Sequence, residues 1–329
     1  MSAGANAILA RAGRNGPALL CAGVLIGLVA PVLADAARPL MGVAVFIFTL
    51  GAFLKVDGAA FRAEAADRRG IVLILAWSTF GVPLLAYALV QAVRPGPDLA
   101  LGLLLCALAP PVGSAAAIAA MLGLSAPLAL LATVTATLAA PFYLAPLAVA
   151  LAGAEMVVDP LAMSLRLGAI IGGAALTAWL LRRYAGRWVA DNPNAMTGIA
   201  VLGLLLVAIG AMRGMRDEIM EAPGQAALLL GLAFLVNAAL QAVGALLFTA
   251  LERHRALTVG LVSGNRNITL VWAAAAPFLA DHPGVELFLA MSVFPIFMLP
   301  AATQRIFATL MDRAARQTPT IPQQAGQRQ

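Results

Sequence analysis

Charge is what this 329-residue chain has least of. Asp, Glu, Lys and Arg make up 11% of it, where a soluble domain of this length carries about 25%. Histidine occurs only as His254 and His282, and cysteine only as Cys21 and Cys106. That scarcity argues against a zinc or disulfide framework, which needs clustered Cys and His. No H-E-x-x-H motif occurs, and both histidines fall between apolar runs, so a histidine-based or metal-dependent hydrolase has no local foundation. The two cysteines lie inside apolar runs and read as small packing residues.

Hydrophobic residues make up 62% of the chain and the mean hydropathy is +0.93. Apolar runs near 20 residues recur from Gly16 to about Leu310, each bounded by Arg, Pro, Asp or Gly. The fold class expected is therefore an all-α membrane protein. Ten spans can be drawn, at about 17–34, 38–56, 70–93, 99–122, 126–152, 160–182, 195–213, 224–251, 256–279 and 284–311. The first run follows Arg11 and Arg14 and precedes Ala34-Asp35-Ala36, as a signal peptide would, but it is long for a signal core and reads as a span.

With ten spans, fifteen of the 21 basic residues fall on the side that holds both termini, and four (Arg38, Arg94, Arg213 and Arg216) on the other. The positive-inside rule then makes both ends cytoplasmic, in a bacterial-type inner membrane. The basic excess thus reads as membrane flanks, not as a nucleic-acid surface. Span starts and helix breaks recur at offsets of about 153–157 residues. Five spans per half is odd, so the halves would insert as inverted repeats, a transporter pattern. The expected organisation is a cytoplasmic N-terminus (1–16), a first five-helix repeat (17–153), a second inverted one (159–311) and a disordered cytoplasmic tail (312–329).

One stretch stands apart. Ala256 to Pro277 is long enough to cross a bilayer, yet its middle reads Ser263-Gly264-Asn265-Arg266-Asn267 and it holds no Asp or Glu. An arginine at mid-bilayer depth is unfavourable by roughly 2.5–3.5 kcal/mol even on insertion scales. A distant acid such as Glu286 is one possible partner, and a substrate anion is another. The matching break in span 4 is Pro110-Pro111 with Gly113 and Ser114, which removes two backbone donors and forbids a continuous helix. Half-helix ends expose orphan backbone groups suited to a ligand. Thr133 and Thr137 share one face of span 5, and Asn237 and Gln241 one face of span 8. Ser78 and Thr79, ahead of Pro83, add a weaker signal. Arg166 sits near the start of span 6, within reach of Glu155 or Asp159.

Two local segments, ALAPPVGSAA at 107–116 and RALTVGLVSGNRN at 255–267, resemble the bile acid:sodium symporter superfamily, as do VFIFTLGAFL in span 2 and the Pro-containing span 3. The resemblance runs from about residue 16 to 311. It implies broken crossing helices 4 and 9, a core domain of spans 3–5 and 8–10, a panel domain of spans 1, 2, 6 and 7, and an organic anion bound between them, often with sodium behind the crossing. The departures are specific. Where the family pattern has an acid and a glutamine in span 9, this chain has Gly260 and Gly264; the span 4 asparagine is replaced by Ala115. Ser114, Thr133, Thr137 and Asn265 remain as a possible cation site. A hard cation favours oxygen ligands that include a carboxylate, so sodium coupling is expected to be weak or absent, with Arg266 as a fixed cation in its place.

The expected function is a secondary active transporter moving a small organic anion by alternating access, with no cofactor and no enzymatic activity. Its partners would be that anion and membrane lipid. Substrate-binding candidates are Arg266, Asn265, Asn267, Ser263, Pro110, Pro111, Gly113, Ser114, Asn237 and Gln241. An anion channel or uniporter-like facilitator built on Arg266 is the alternative; a membrane-embedded enzyme is a distant third.

Overall fold

A computed structural model gives the fold, describing residues 3–56, 58–152, 159–279, 282–296, 298–300 and 302–304. The 312–329 tail, Glu155 and the side chain of Cys21 lie outside the described residues. The chain is helical throughout, the expected outcome where every backbone group must be satisfied within its own segment. In order, the helices are α1 (Ala3–Arg14), α2 (Gly16–Val29), α3 (Pro31–Ala37), α4 (Met41–Leu54), α5 (Gly58–Glu64), α6 (Arg68–Ala76), α7 (Val82–Val93), α8 (Pro97–Leu108), α9 (Ala115–Met121), α10 (Ala126–Ala152), α11 (Pro160–Asp191), α12 (Pro193–Ala211), α13 (Met215–Glu221), α14 (Pro223–Leu247), α15 (Arg253–Gly264), α16 (Ile268–Ala275) and α17 (Pro283–Met291).

Among the described residues, seven segments are long and apolar enough to cross a membrane: Pro31–Leu54, Arg68–Val93, Ala126–Ala152, Pro160–Asp191, Pro193–Ala211, Pro223–Leu247 and Pro283–Gln304. The protein is therefore a multi-span helical membrane protein, but the ten-span, five-plus-five inverted-repeat scheme is overturned. The reason is continuity. Apolar windows count residues across a break, and three of the ten windows contain one. The first stops at Val29, where Ala30 leaves helical geometry and Pro31 starts a new helix; its 14 residues reach about 21 Å of the roughly 30 Å needed. The fourth is cut to 12 residues by Pro110-Pro111, and the ninth is split into α15 and α16 at Asn265–Asn267. Seven continuous spans no longer fix both chain ends on one side, as an even count did.

Two packing groups surround the break points. In one, α12 packs on α1, α2, α3 and α4, and α4 also meets α11. In the other, α14 packs on α15 and α17, while α8 is held by α7, α10 and α17. The groups meet where α10 packs on α11 and where α16 touches α4 and α11. Every residue of α16 is buried, as are Ala100 to Leu108 of α8. Helices apolar all round belong at the centre, and these two short ones are surrounded by the long spans.

The α14–α15 contact depends on missing side chains. A Cβ on Gly260 would collide with the Gln241 carbonyl, on Gly264 with the Asn237 carbonyl, and on Gly244 with the Ser263 hydroxyl. Small residues four apart let membrane helices approach backbone to backbone. Gly264→Ala is thus expected to destabilise by about 1–3 kcal/mol through overpacking. Gly231→Ala on the same α14, where a Cβ meets nothing within 4 Å, should be neutral or slightly stabilising. Thermal unfolding of both variants in detergent checks the contrast.

Candidate functional site at the helix crossing

The two breaks cross and pair. Pro111 and Arg266 form an isolated antiparallel bridge. Val112 N–H donates to the Asn265 carbonyl at 2.8 Å, and Asn267 N–H to the Pro110 carbonyl at 2.6 Å. The extended backbone that the prolines force therefore finds its hydrogen bonds in the opposite break, which is how non-helical backbone survives at this depth.

Helix ends leave orphan carbonyls, and the polar side chains picked out from sequence are largely what satisfies them. Arg266, 1% exposed, donates through one terminal nitrogen to the Ala107 carbonyl and the Ser78 carbonyl, both at 2.8 Å. Its other terminal nitrogen donates to the Ser78 hydroxyl at 2.9 Å and, more loosely, to the Val262 carbonyl at 3.4 Å. Tyr143 takes the next carbonyl of α8, that of Leu108. Asn237 donates its amide to the Gly264 carbonyl at 2.9 Å and to Asn265 Oδ1 at 3.1 Å, and Gln241 donates to Asn237 Oδ1 at 2.6 Å. Asn267 caps α16 by accepting from Leu270 N–H and the Thr269 hydroxyl.

The charge balance is simple. Among the described residues no acid pairs with Arg266; Glu286 instead pairs with Arg38 and accepts from Trp272 Nε1. Each helix C-terminus carries about −0.5 of a charge, and the ends of α8 and α15 both meet the guanidinium. Two such ends sum to about −1, enough to neutralise it without a carboxylate.

The other candidates divide. Ser263 accepts from Trp77 Nε1 at 2.8 Å and bonds back to the Val259 carbonyl, so it fastens the turn that follows α6 to α15. Arg166 is exposed on α11 and lies away from the crossing's cavities. Gly113, Thr133, Thr137 and Asn267 come together around a small void of about 10 Å³, shared with Phe48, Thr49 and Phe53 of α4. That is room for one water at most. Of the proposed cation set, Thr133 and Thr137 border this void. Asn265 Oδ1 already accepts from Asn237 and Gln241, while Thr133 donates weakly to the Val112 carbonyl. No group of three or more His, Cys, Asp or Glu converges among the described residues.

Compared with models of known families and with curated protein sequences, the chain shows no match. The site itself must speak.

Sequence reasoning passed over Thr49 and gave Ser78 too little weight. Thr49 lies in an unbroken apolar run, VFIFTLGAFL, with nothing to mark it. Ser78 sits in a π-helical turn, Trp77–Gly81, a feature frequent at functional sites; Pro83 nearby was the available signal. Two buried hydroxyls, Ser114 Oγ and Thr49 Oγ1, have no partner, nor do Asn265 Nδ2 and Arg266 Nε. Such atoms are disfavoured by about 1–3 kcal/mol each unless a ligand or water meets them.

Two substitutions separate the structural load. Ser78→Ala removes one acceptor from a buried cation and should destabilise by about 1.5–3 kcal/mol. Asn237→Leu strands the Gly264 carbonyl and should lose about 1–3 kcal/mol. Unfolding midpoints near wild type for both would contradict this assignment.

Proposed function

We propose that the protein is a secondary carrier of small organic anions, working by alternating access between its two packing groups. What carries the reading is the void between α4 and the crossing. It lies where α4 of one group faces the broken helices of the other, and it is walled by Thr49, Thr133, Thr137, Gly113 and Asn267. Its size is that of a closed state. An organic anion enters only if α4 and α10 separate, which is the motion alternating access requires. Hydroxyl groups already there, Thr49 without a partner, would then receive substrate oxygens. The resemblance of segments 107–116 and 255–267 to the bile acid:sodium symporter superfamily supports the same class of substrate.

Coupling follows from Arg266. Its guanidinium holds the carbonyls at the ends of two half-helices, a place otherwise suited to a dissolved cation. A cation supplied by the chain itself leaves no reason for sodium to bind there, so transport proceeds without sodium coupling. An enzyme would need a positioned acid, base or nucleophile; at this crossing Arg266 and Asn237 are instead engaged with backbone carbonyls.

The test is thermal unfolding of the purified protein across a panel of organic anions, in NaCl and in matched KCl. A ligand of the folded state should raise stability by RT ln(1 + [L]/Kd), about 2.7 kcal/mol at a hundredfold excess over Kd, and equally in both salts. The same anion should then show saturable counterflow in liposomes, and Thr49→Val should lower its uptake about tenfold. Stabilisation by sodium alone, or by an anion only in its presence, would contradict sodium independence. Ion currents without counterflow would contradict the carrier.

A further inference from the structure

On the far side of the crossing from that void lies a larger, separate space. It is a cleft of about 550 Å³ between α7 and α14, floored by α8 and α17, within the range of about 300–1,000 Å³ typical of ligand sites. Its walls are aliphatic: Leu85, Leu89 and Val93 on α7, and Leu232, Leu235 and Val243 on α14. Several of these are also exposed on the outer surface, Leu89 at 50%, Val93 at 65% and Leu235 at 65%. The cleft therefore opens sideways, at the depth where the spans meet hydrocarbon.

Its two ends differ. The deep end reaches Gly264, Arg266 and Ile268 at the crossing, and the shallow end stops at Val93 and Pro95. From Leu85 to Val93 the helix rises about 12 Å, close to the roughly 15 Å of one leaflet's hydrocarbon. At the shallow end Val90 and Pro95 also border a second pocket, of about 200 Å³, that includes Gln91 and Arg94. Arg94 is exposed and makes no ion pair among the described residues. It is also the one non-glycine residue among them with positive φ, at 52°. It is the left-handed cap at which α7 ends, its N–H donating to the Val90 carbonyl.

We propose that this cleft binds one anionic phospholipid, with an acyl chain lying between α7 and α14 and the phosphate beside Arg94 and Gln91. Length, wall chemistry and charge agree on that occupant. A chain one leaflet deep fills the aliphatic slot; of the two arginines near it, Arg266 at the deep end is engaged with Ser78 and backbone carbonyls, and Arg94 stands at the end where a headgroup lies. The proposal needs the chain to be in a bilayer and does not rest on the carrier reading.

The test uses full-length protein in phosphatidylcholine vesicles containing a phosphatidylglycerol with a diazirine on one acyl chain. After illumination, adducts are mapped by mass spectrometry. They should concentrate on Leu103–Ala107 and Leu232–Val243. Unlabelled phosphatidylglycerol should compete about fivefold better than phosphatidylcholine, the effect of one basic residue at a membrane surface. Arg94→Gln should abolish that preference, and Ala239→Trp, which intrudes on the cleft, should remove the adducts. Labelling spread evenly over lipid-facing residues such as Leu165, Leu176 and Leu202 would overturn the site. So would equal competition by the two lipids, or cross-links between copies across α14. The wild-type competition decides the matter even where Ala239→Trp does not fold.

Discussion

A guanidinium buried at the centre of a membrane protein, with no acid beside it among the described residues, sets the terms for everything around it. Arg266 is 1% exposed and donates four hydrogen bonds, three of them to backbone carbonyls. The Ala107 and Val262 carbonyls are free acceptors because two helices stop short, and the Ser78 carbonyl is offered by the π-helical turn Trp77–Gly81. The prolines at 110 and 111 and the Asn-rich break at 265–267 create the orphan groups, and Arg266 consumes them. Neither feature is tolerable alone. An unbroken helix would leave the cation unmatched, and the breaks without a cation would bury bare carbonyl ends in apolar surroundings.

The same constraint explains the neighbourhood. Gly260, Gly264 and Gly244 let α14 come close enough for Asn237 to reach the Gly264 carbonyl. Trp77 reaches Ser263, bringing the π-helical turn near enough for Ser78 to receive Arg266 twice. The scaffold leaves the Thr49 and Ser114 hydroxyls without partners, Thr49 beside Thr137 where α4 faces the crossing. An outer tie closes the two groups at another point. Arg38 pairs with Glu286 and stacks 5.0 Å from the centre of the Trp272 ring, so the acid that could have served Arg266 is committed elsewhere.

Much of this was legible in the residues. The 256–277 stretch announced a buried charge without a local acid, and Pro110-Pro111 announced where a helix must end. Asn237 and Gln241 announced a polar face four residues apart. What sequence could not supply was pairing over distance. Ser78 and Ala107 lie 188 and 159 positions from Arg266, and only folding shows that they receive it. Nor could apolar windows measure continuity, which is why three of ten drawn spans dissolved into shorter pieces. Thr49 was invisible for a simpler reason. One hydroxyl in an apolar run is ordinary until the wall opposite it is known.

The most direct measurement is thermal unfolding of Arg266→Ala in sodium, in potassium and with millimolar-scale free guanidinium added to either. If the side chain is the resident cation of the crossing, the variant is strongly destabilised in both salts and is restored by guanidinium, whose planar fork matches the same carbonyls. Wild-type stability for Arg266→Ala in potassium, or rescue by sodium in place of guanidinium, would contradict it.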